Sequence, residues 1–254
     1  AEETILRDEN DVLYEDDDNP SAHHIDGLIR FESDLAYEVF KYLRNSVFPI
    51  IIGGDHSISI GSVSGTKMAF PDKRLGVIWI DAHADLHTPW TTPSGNVHGM
   101  PLALLMQIEK KGKNNPLVYT MDIWDRLRKI GVNGPKMQPS DLVIIALRDY
   151  EPEERAIIEE HGIKVITVAE LRKVGAKAVV QETLAHLTLC DKIHVSFDVD
   201  CLDPSISIGT GTPVPDGLMA NEASELLQGF CKDPKTVTLD VVEINPALGQ
   251  ANDM

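Results

Sequence analysis

The chain has 254 residues, of which 43% are hydrophobic, and this is enough for one large globular domain with a substantial core. Its 23 basic and 40 acidic residues give a formal net charge of -17, which disfavours nucleic acid phosphates and acidic membrane surfaces as partners. The same charge suits a small cationic ligand beside an acidic cleft, and it also serves solubility.

The predicted strands are short runs rich in valine and isoleucine, and the predicted helices are the amphipathic segments between them. In chain order the strands are expected at 47–52, 75–80, 142–147, 163–168, 193–199 and 237–244, all of them buried. The helices are expected at 25–43, 101–111, 152–160, 168–189 and 220–231. Alternation of the two, with no linker of mixed composition, predicts a single α/β domain over residues 1–254 with a mostly parallel sheet.

The cysteines and the first twenty residues indicate the cellular compartment in which the protein is expected. Cys190, Cys201 and Cys231 have no CxxC spacing, so neither a disulfide framework nor a structural zinc site is predicted. The first twenty residues are acidic, and no apolar run is long enough to cross a bilayer. We therefore expect reduced thiols in a cytoplasmic protein.

Polar motifs follow three of the predicted strands. They are GGDH at 53–56, DAHAD at 81–85 and FDVDCLDP at 197–204. Loops from several parallel strands converge beyond the C-terminal strand ends, which is where such sheets bind ligands. Side chains two residues apart on an extended segment point the same way, so each motif can aim several side chains at one point.

The motifs together supply two imidazoles and four carboxylates: His56, Asp81, His83, Asp85, Asp198 and Asp200. Any one of them alone would be an ordinary hydrogen-bonded polar residue. Four gathered carboxylates repel one another unless cations neutralise them, so the set predicts bound metal. This mixture of donors favours manganese, with iron, cobalt or zinc as alternatives. Two metals sharing carboxylates lower the pKa of a water between them, so the reaction indicated is hydrolysis.

The order GGDH, DAHAD, SGNVHG and SFDVDCLDP resembles the ureohydrolase family, and the SGNVHG loop is similar to that of arginases. The resemblance covers residues 51–249, with LRDYEPEE at 147–154, GTGTPV at 209–214 and VVEINPALG at 241–249. It implies an arginase-like three-layer α/β/α fold with a mostly parallel sheet and two Mn2+ ions per chain at the strand ends.

The resemblance also implies how the ligands are shared. Asp81 and Asp198 would bridge the two ions. The other ligands would be His56 and Asp85 for one ion and His83 and Asp200 for the other. A metal-bridging hydroxide, oriented by Asp85, would attack the guanidinium carbon of L-arginine and release L-ornithine and urea.

Three further residues resemble the family's groups around the substrate. His98 is similar to the proton shuttle, and an imidazole with a pKa near neutrality is suited to protonating the leaving amine. Glu243, at the end of the last predicted strand, would accept hydrogen bonds from the planar guanidinium. Thr212 would line the same pocket.

Recognition of the amino-acid end of the substrate is implied by two other segments. Ser94 and Asn96 resemble α-carboxylate contacts that agmatinases lack, which favours L-arginine. Glu151 and Glu154 are placed with the substrate contacts, Glu151 where the family usually has Asp at the α-amino group. His87 stands where arginases usually carry Asn, so His87 and Glu151 are departures that bear on substrate preference.

Two alternatives stay open at this point. An agmatinase or guanidino-acid hydrolase would prefer agmatine or guanidinobutyrate to L-arginine. A catalytically silent homologue would bind metal or arginine without turnover, although retention of all six ligands argues against it. The resemblance further implies a homotrimer, and family segments before Ala1 and after Met254.

Overall fold

The computed structural model describes residues 3–6 and 19–248. The chain divides into two compact units, each assembled from separate stretches of sequence. A helical unit comprises residues 1–47, 57–71 and 85–136, and a sheet unit comprises residues 48–56, 72–84 and 137–254. One catalytic domain over residues 1–254 therefore stays a prediction.

Within the described part of the chain, the sheet unit contains six strands: β1 (Ile50–Ile52), β2 (Leu75–Ile80), β3 (Leu142–Ile145), β4 (Lys164–Ile166), β5 (Lys192–Asp198) and β6 (Thr236–Val242). Their order across the sheet is β1-β6-β5-β2-β3-β4, and every neighbouring pair is parallel. The α/β class and the mostly parallel sheet are confirmed. All six predicted strands are found within a few residues of the expected bounds.

The prediction that every strand is buried is wrong for β1. Among the residues that the structure describes, this strand pairs only with β6, so it lies at the edge of the described sheet. Ile50 and Ile52 are 60% and 73% exposed. By contrast β2 lies between β3 and β5, and all six of its residues are buried. Composition predicted a strand in both places, but position in the sheet decides burial.

The described residues of the sheet unit also form the helices α5 (Pro152–His161), α6 (Val168–Val174), α7 (Ala176–His186) and α8 (Ala220–Cys231). The single helix predicted at 168–189 is wrong, because the chain breaks at Gly175 with φ 87° and ends in a 3-10 turn at Leu187–Leu189. Apolar side chains of the central strands pack with α6, α7 and α8 in one core cluster that includes Ile78, Val195, Leu226 and Phe230.

The helical unit contains α1 (Ile25–Arg44), α2 (Ser59–Ala69), α3 (Pro101–Met106) and α4 (Val118–Leu127). The sequence did not predict α2 or α4, and it extended α3 to residue 111. Nearly all of α2 is buried, so it lacks the one-sided pattern that marks a surface helix. Its glycines let α1 approach, since a Cβ on Gly65 would lie 2.4 Å from the carbonyl oxygen of Ala36. No helix within residues 3–6 and 19–248 is long and apolar enough to span a membrane.

Candidate metal centre

The register of the sheet unit brings three polar motifs to one edge of the sheet. Ile80 of β2 pairs with Phe197 of β5, so Asp81 and Asp198 follow at the same level. Asp198 pairs in turn with Val242 of β6, which places Glu243 one residue further. β1 ends beside β6, and the Gly53 N–H donates to the Val241 carbonyl at 3.1 Å. The strand ends therefore deliver GGDH, DAHAD and FDVDCLDP together, as predicted.

One imidazole in this cluster faces two carboxylates. His56 Nδ1 lies 2.9 Å from Asp81 Oδ2 and 3.0 Å from Asp198 Oδ2. All three side chains are buried. A nitrogen flanked by two carboxylate oxygens can give a proton to only one of them, so a cation placed among the three atoms would satisfy all of them at once.

A second imidazole repeats the arrangement. His83 Nδ1 lies 2.9 Å from Asp200 Oδ2 and 3.5 Å from Asp81 Oδ1. One ligand atom from each of His83, Asp81 and Asp200 lies within 4.8 Å of the others. Asp81 thus presents Oδ2 to one imidazole and Oδ1 to the other, which is the geometry of a carboxylate that can serve two ions.

The electrostatics of the cluster favour binding of positive charge. Burial, together with repulsion from Asp81 and Asp200, raises the pKa of Asp198 well above its usual value. Burial and Asp81 also raise the pKa of Asp200. Burial opposes ionisation of Asp81 as well, but hydrogen bonds with His56 and His83 outweigh it and lower the pKa of Asp81. For His83, burial is outweighed by hydrogen bonds to Asp200 and Asp81, which raise its pKa to about 12.

These donors fit a pair of metal ions. Imidazole nitrogen and carboxylate oxygen are the ligand types that manganese, iron, cobalt and zinc accept. In the absence of metal the carboxylates hold a proton on His83, and a metal ion would release that proton when it binds. The structure therefore brings five of the six predicted ligands together within the sheet unit.

Two residues that the sequence analysis missed orient these ligands. Trp79 stacks on His56 with ring centroids 3.9 Å apart and an interplanar angle of 4°, and its Nε1 donates to Asp81 Oδ2 at 2.9 Å. Ser196 Oγ lies 2.8 Å from His56 Nε2, so the hydroxyl fixes the ring whose Nδ1 faces the carboxylates. Each lies two residues before a ligand on the same strand face, and this spacing was a usable signal.

Arg148 was also missed, although it lies in the LRDYEPEE motif. Its guanidinium donates to six backbone carbonyls at 2.8 to 3.4 Å, those of Ala146, Asp200, Cys201, Leu202, Val214 and Pro215. One side chain thereby ties the backbone around Asp200 to the end of the GTGTPV motif and the proline that follows it. A search for patterns of acidic residues and histidines does not detect an arginine whose partners are backbone carbonyls.

The predicted guanidinium-binding residues of the sheet unit lie beside the cluster. Glu243 has a left-handed backbone conformation with φ 60°, and its Oε1 accepts from the His56 N–H at 2.7 Å. A Cβ on Gly211 would lie 4.0 Å from Glu243 Oε2, so GTGTPV passes close to this carboxylate. Thr212 Oγ1 donates to Asp200 Oδ2 at 3.2 Å.

Glu151 and Glu154 have a structural role that is independent of any substrate. They form the capping box of α5, in which the Glu151 N–H donates to Glu154 Oε2 at 3.1 Å. Glu154 is buried and Glu151 is exposed. Their assignment as substrate contacts stays a prediction, and only Glu151 offers an accessible side chain for it.

Asp85 and His87 belong to the helical unit. Asp85 is 6% exposed, has φ 51°, and accepts the Leu102 N–H at its carbonyl at 3.1 Å. His87 is also 6% exposed, with Nδ1 3.2 Å from Thr91 Oγ1 and a backbone N–H that donates to the Gly99 carbonyl at 3.0 Å. The backbone N–H and the Nδ1 atom of His87 thus make hydrogen-bond contacts within the helical unit.

The SGNVHG segment presents its polar side chains at the surface of the helical unit. Ser94 and Asn96 are exposed, and Ser94 Oγ accepts the Asn96 N–H at 3.1 Å. His98 is half-buried in a 3-10 turn at Val97–Gly99. Exposed Ser and Asn side chains and a half-buried imidazole are accessible to a ligand.

Comparison with known proteins identifies the family. The family model described as "Arginase family" matches residues 4–254. The arginase of Bacillus subtilis strain 168 is 39% identical over 230 residues, which are 90% of this chain and 72% of that protein. Arginase-1 of Oryctolagus cuniculus is 39% identical over 255 residues, 98% of this chain and 75% of that protein. The crystal structure of arginase from Bacillus cereus superposes with a TM-score of 0.81 at 33% identity, covering 92% of this chain and 76% of that one. The chain belongs to the arginase family.

Proposed function

We propose that this protein hydrolyses L-arginine to L-ornithine and urea with the help of two manganese ions. Membership of the arginase family makes it a hydrolase of the guanidino C–N bond. The observation that carries the proposal is Asp81, whose two carboxylate oxygens face the imidazoles of His56 and His83. Manganese is favoured over other metals because the predicted ligands combine imidazoles with a majority of carboxylates.

The proposed ligand assignment follows these contacts and the spacing of the motifs. Asp81 and Asp198 would hold both ions, His56 and Asp85 would complete one position, and His83 and Asp200 would complete the other. Support comes from the short distances among five of these side chains. For Asp85 the support is its place four residues after Asp81 in DAHAD.

When bound, two metal ions that share carboxylates make hydroxide available from water near neutral pH, and this supplies the nucleophile. The chain's own residues supply orientation and protons. Glu243, held by the His56 N–H, accepts from the guanidinium and fixes its plane. His98 donates a proton to the amine of ornithine as it leaves, since its half-buried imidazole can exchange protons with solvent.

We assign the α-carboxylate group of the substrate to residues of the helical unit and the α-ammonium group to the start of α5. Ser94 and Asn96 donate to the carboxylate, and His87 is a further donor to it. Glu151 accepts from the α-ammonium group, and Glu154 orients Glu151 through the capping box. Exposure of Ser94, Asn96 and Glu151 supports this assignment.

A urea-release assay across L-arginine, agmatine and guanidinobutyrate, with and without added Mn2+, tests the proposal. We expect the highest kcat/KM for L-arginine and loss of activity after chelation. A preference for agmatine or guanidinobutyrate would make the protein an agmatinase or guanidino-acid hydrolase. Binding of arginine without turnover in a manganese-loaded preparation would make it a silent homologue. Urea release that persists after complete metal removal would overturn the metal assignment.

We also propose that the protein acts as one catalytic domain, forms a homotrimer and works in the cytoplasm, on the family resemblance stated above. Sedimentation equilibrium of the purified chain gives its oligomeric mass directly. A monomer at micromolar concentration would contradict the trimer and leave the catalytic proposal unaffected.

A further inference from the structure

A short segment before α1 lies against the SGNVHG loop within the helical unit. We define this segment, residues 19–24, as the strap. The His23 N–H donates to the Gly95 carbonyl at 2.8 Å, and His23 Nε2 lies 3.0 Å from the Ser94 carbonyl oxygen. One histidine therefore holds two consecutive carbonyls of the segment that carries Ser94 and Asn96.

Gly95 makes this close approach possible. Its φ of 82° is in the left-handed region, and a Cβ there would lie 2.5 Å from the Pro20 carbonyl oxygen and 2.8 Å from His23 Cδ2. No side chain fits in that space. The glycine of SGN is thus required by the strap as well as by its own backbone conformation.

The strap is itself anchored in the helical unit. Asn19 is 8% exposed and its Oδ1 accepts from Thr120 Oγ1 of α4 at 2.9 Å. Ala22 is fully buried and belongs to the apolar cluster that also contains Ile123 and Trp124. Because the strap is anchored to α4 and to this apolar cluster, the His23 contacts can hold the SGNVHG loop in place.

At residues 94–96 the hydrogen bonds other than those from His23 join residues close in the sequence. Within the loop, the Gly95 N–H donates to Thr92 Oγ1 at 2.9 Å and the Asn96 N–H donates to Ser94 Oγ at 3.1 Å. Both bonds are local, because each joins residues two or three apart. His23 supplies bonds from outside the loop, from more than seventy positions earlier in the sequence.

We propose that His23 is a positioning residue for substrate selectivity, which holds Ser94 and Asn96 in the arrangement that recognises an α-carboxylate. This inference rests on the proposed function. His23 itself does not touch the substrate. Its effect is confined to ligands that carry the carboxylate, such as L-arginine and L-ornithine, and spares agmatine and putrescine, which lack it.

The contact is insensitive to the protonation of His23. A carbonyl oxygen only accepts, so Nε2 carries the hydrogen in this pair. Both the neutral Nε2–H tautomer and the imidazolium supply that donor. A glutamine side chain also offers an N–H donor, whereas alanine offers none. Comparison of the two substitutions therefore shows whether the hydrogen bond to the Ser94 carbonyl is what matters.

The experiment compares His23→Ala and His23→Gln with the parent protein and with His161→Ala, an exposed histidine of α5 in the sheet unit. For His23→Ala we expect KM for L-arginine to rise about fivefold, as loss of one hydrogen bond allows, with kcat within about twofold. The ratio of kcat/KM for arginine over agmatine should fall by about the same factor. His23→Gln should restore most of the difference, and His161→Ala should match the parent.

Two activity-independent measurements complete the test. Calorimetric binding of L-ornithine should weaken in His23→Ala while binding of putrescine does not, and amide hydrogen exchange at residues 94–96 should become faster. Equal loss for both ligands, or unchanged exchange and unchanged ornithine binding, would overturn the inference. Failure of the parent to release urea would instead refute the proposed function, and the exchange data would still report on the strap.

Discussion

The metal cluster of the sheet unit and the SGNVHG loop of the helical unit are built in opposite ways. Asp81, Asp198 and Asp200 are at most 2% exposed and follow strands whose register is set by backbone pairing along several residues. Ser94 and Asn96 are exposed, and a few separate hydrogen bonds hold them. On the proposed function, the hydrolytic step thus takes place on a rigid scaffold, and substrate choice depends on a loop that sequence changes can retune.

The largest effect is expected from removal of the shared carboxylate. Asp81→Asn takes a negative charge from between His56 and His83, so both metal positions should weaken. Changes in groups that merely orient ligands cost about 10–100-fold, so we expect a loss of more than about 100-fold in kcat together with substoichiometric manganese. Urea release and elemental analysis measure the two quantities. Asp122→Asn, at an exposed acid of α4, is the matched control. A fully active Asp81→Asn protein would contradict the view that catalysis depends on the buried cluster of the sheet unit.

Arg148→Met should have the next largest effect, since it removes the donor to six carbonyls around the cluster. We expect a loss of about 10–100-fold in metal affinity or kcat, as for other groups that orient metal ligands. Manganese titration monitored by activity measures the change. Arg155→Met removes an exposed arginine that forms an ion pair with Glu159 across one helical turn, and it should be nearly neutral. Similar results for the two variants would show that Arg148 does not support the cluster.

Ser94→Ala addresses the loop side of the comparison. Loss of one donor to the α-carboxylate should raise KM for L-arginine about 5–10-fold and leave agmatine kinetics unchanged. The substrate pair is its own control, because damage to the scaffold would depress both. A parallel loss of activity on both substrates would show that the loop serves catalysis and not only selectivity.

The stability of metal-free protein should depend on pH through the cluster and not through the loop. The pKa of His83 is raised to about 12, so its stabilising contribution is full below its unfolded value near 6.5 and is lost as pH rises through 12. The raised pKa values of Asp198 and Asp200 act in the same direction, since the folded state binds more protons. The lowered pKa of Asp81 acts only in acid.

Metal-free protein should therefore have a lower Tm at pH 9 than at pH 6, by several degrees, given about 2–4 °C per kcal/mol for a chain of this size. Added Mn2+ should raise Tm more at pH 9, because the proton on His83 competes with the metal less strongly as pH approaches the pKa of this histidine. Differential scanning calorimetry measures both effects. Asp200→Asn should flatten the pH dependence, while Ser94→Ala should leave it intact. An equal Tm at the two pH values would contradict the assigned pKa directions.

Much of the sheet unit could be predicted because its information is local. Runs of valine and isoleucine located all six strands, and the motifs at their ends located the ligands. The expected extended spacing does not hold throughout, because Asp200 lies in a 3-10 turn at Val199–Cys201 and Asp85 has φ 51°. A spacing of two residues along the strand pointed to Trp79 and Ser196, but an aromatic residue and a serine were not recognised as partners of a metal ligand. Arg148 escaped because its partners are backbone carbonyls, which carry no residue-type signal. α2 escaped because a helix buried on all sides has no amphipathic period.

The sequence by itself determined the donor chemistry of this protein, since the number and type of imidazoles and carboxylates are properties of the motifs alone. Tertiary structure decided the burial of each strand and the contacts between segments that are distant in the sequence. Strand order made β1 an exposed edge and β2 a buried centre. Pairing of distant strands set His56 between two carboxylates, and the strap brought His23 onto a loop some seventy residues away. Such contacts depend on long-range packing, and local periodicity contains no information about which distant segments meet.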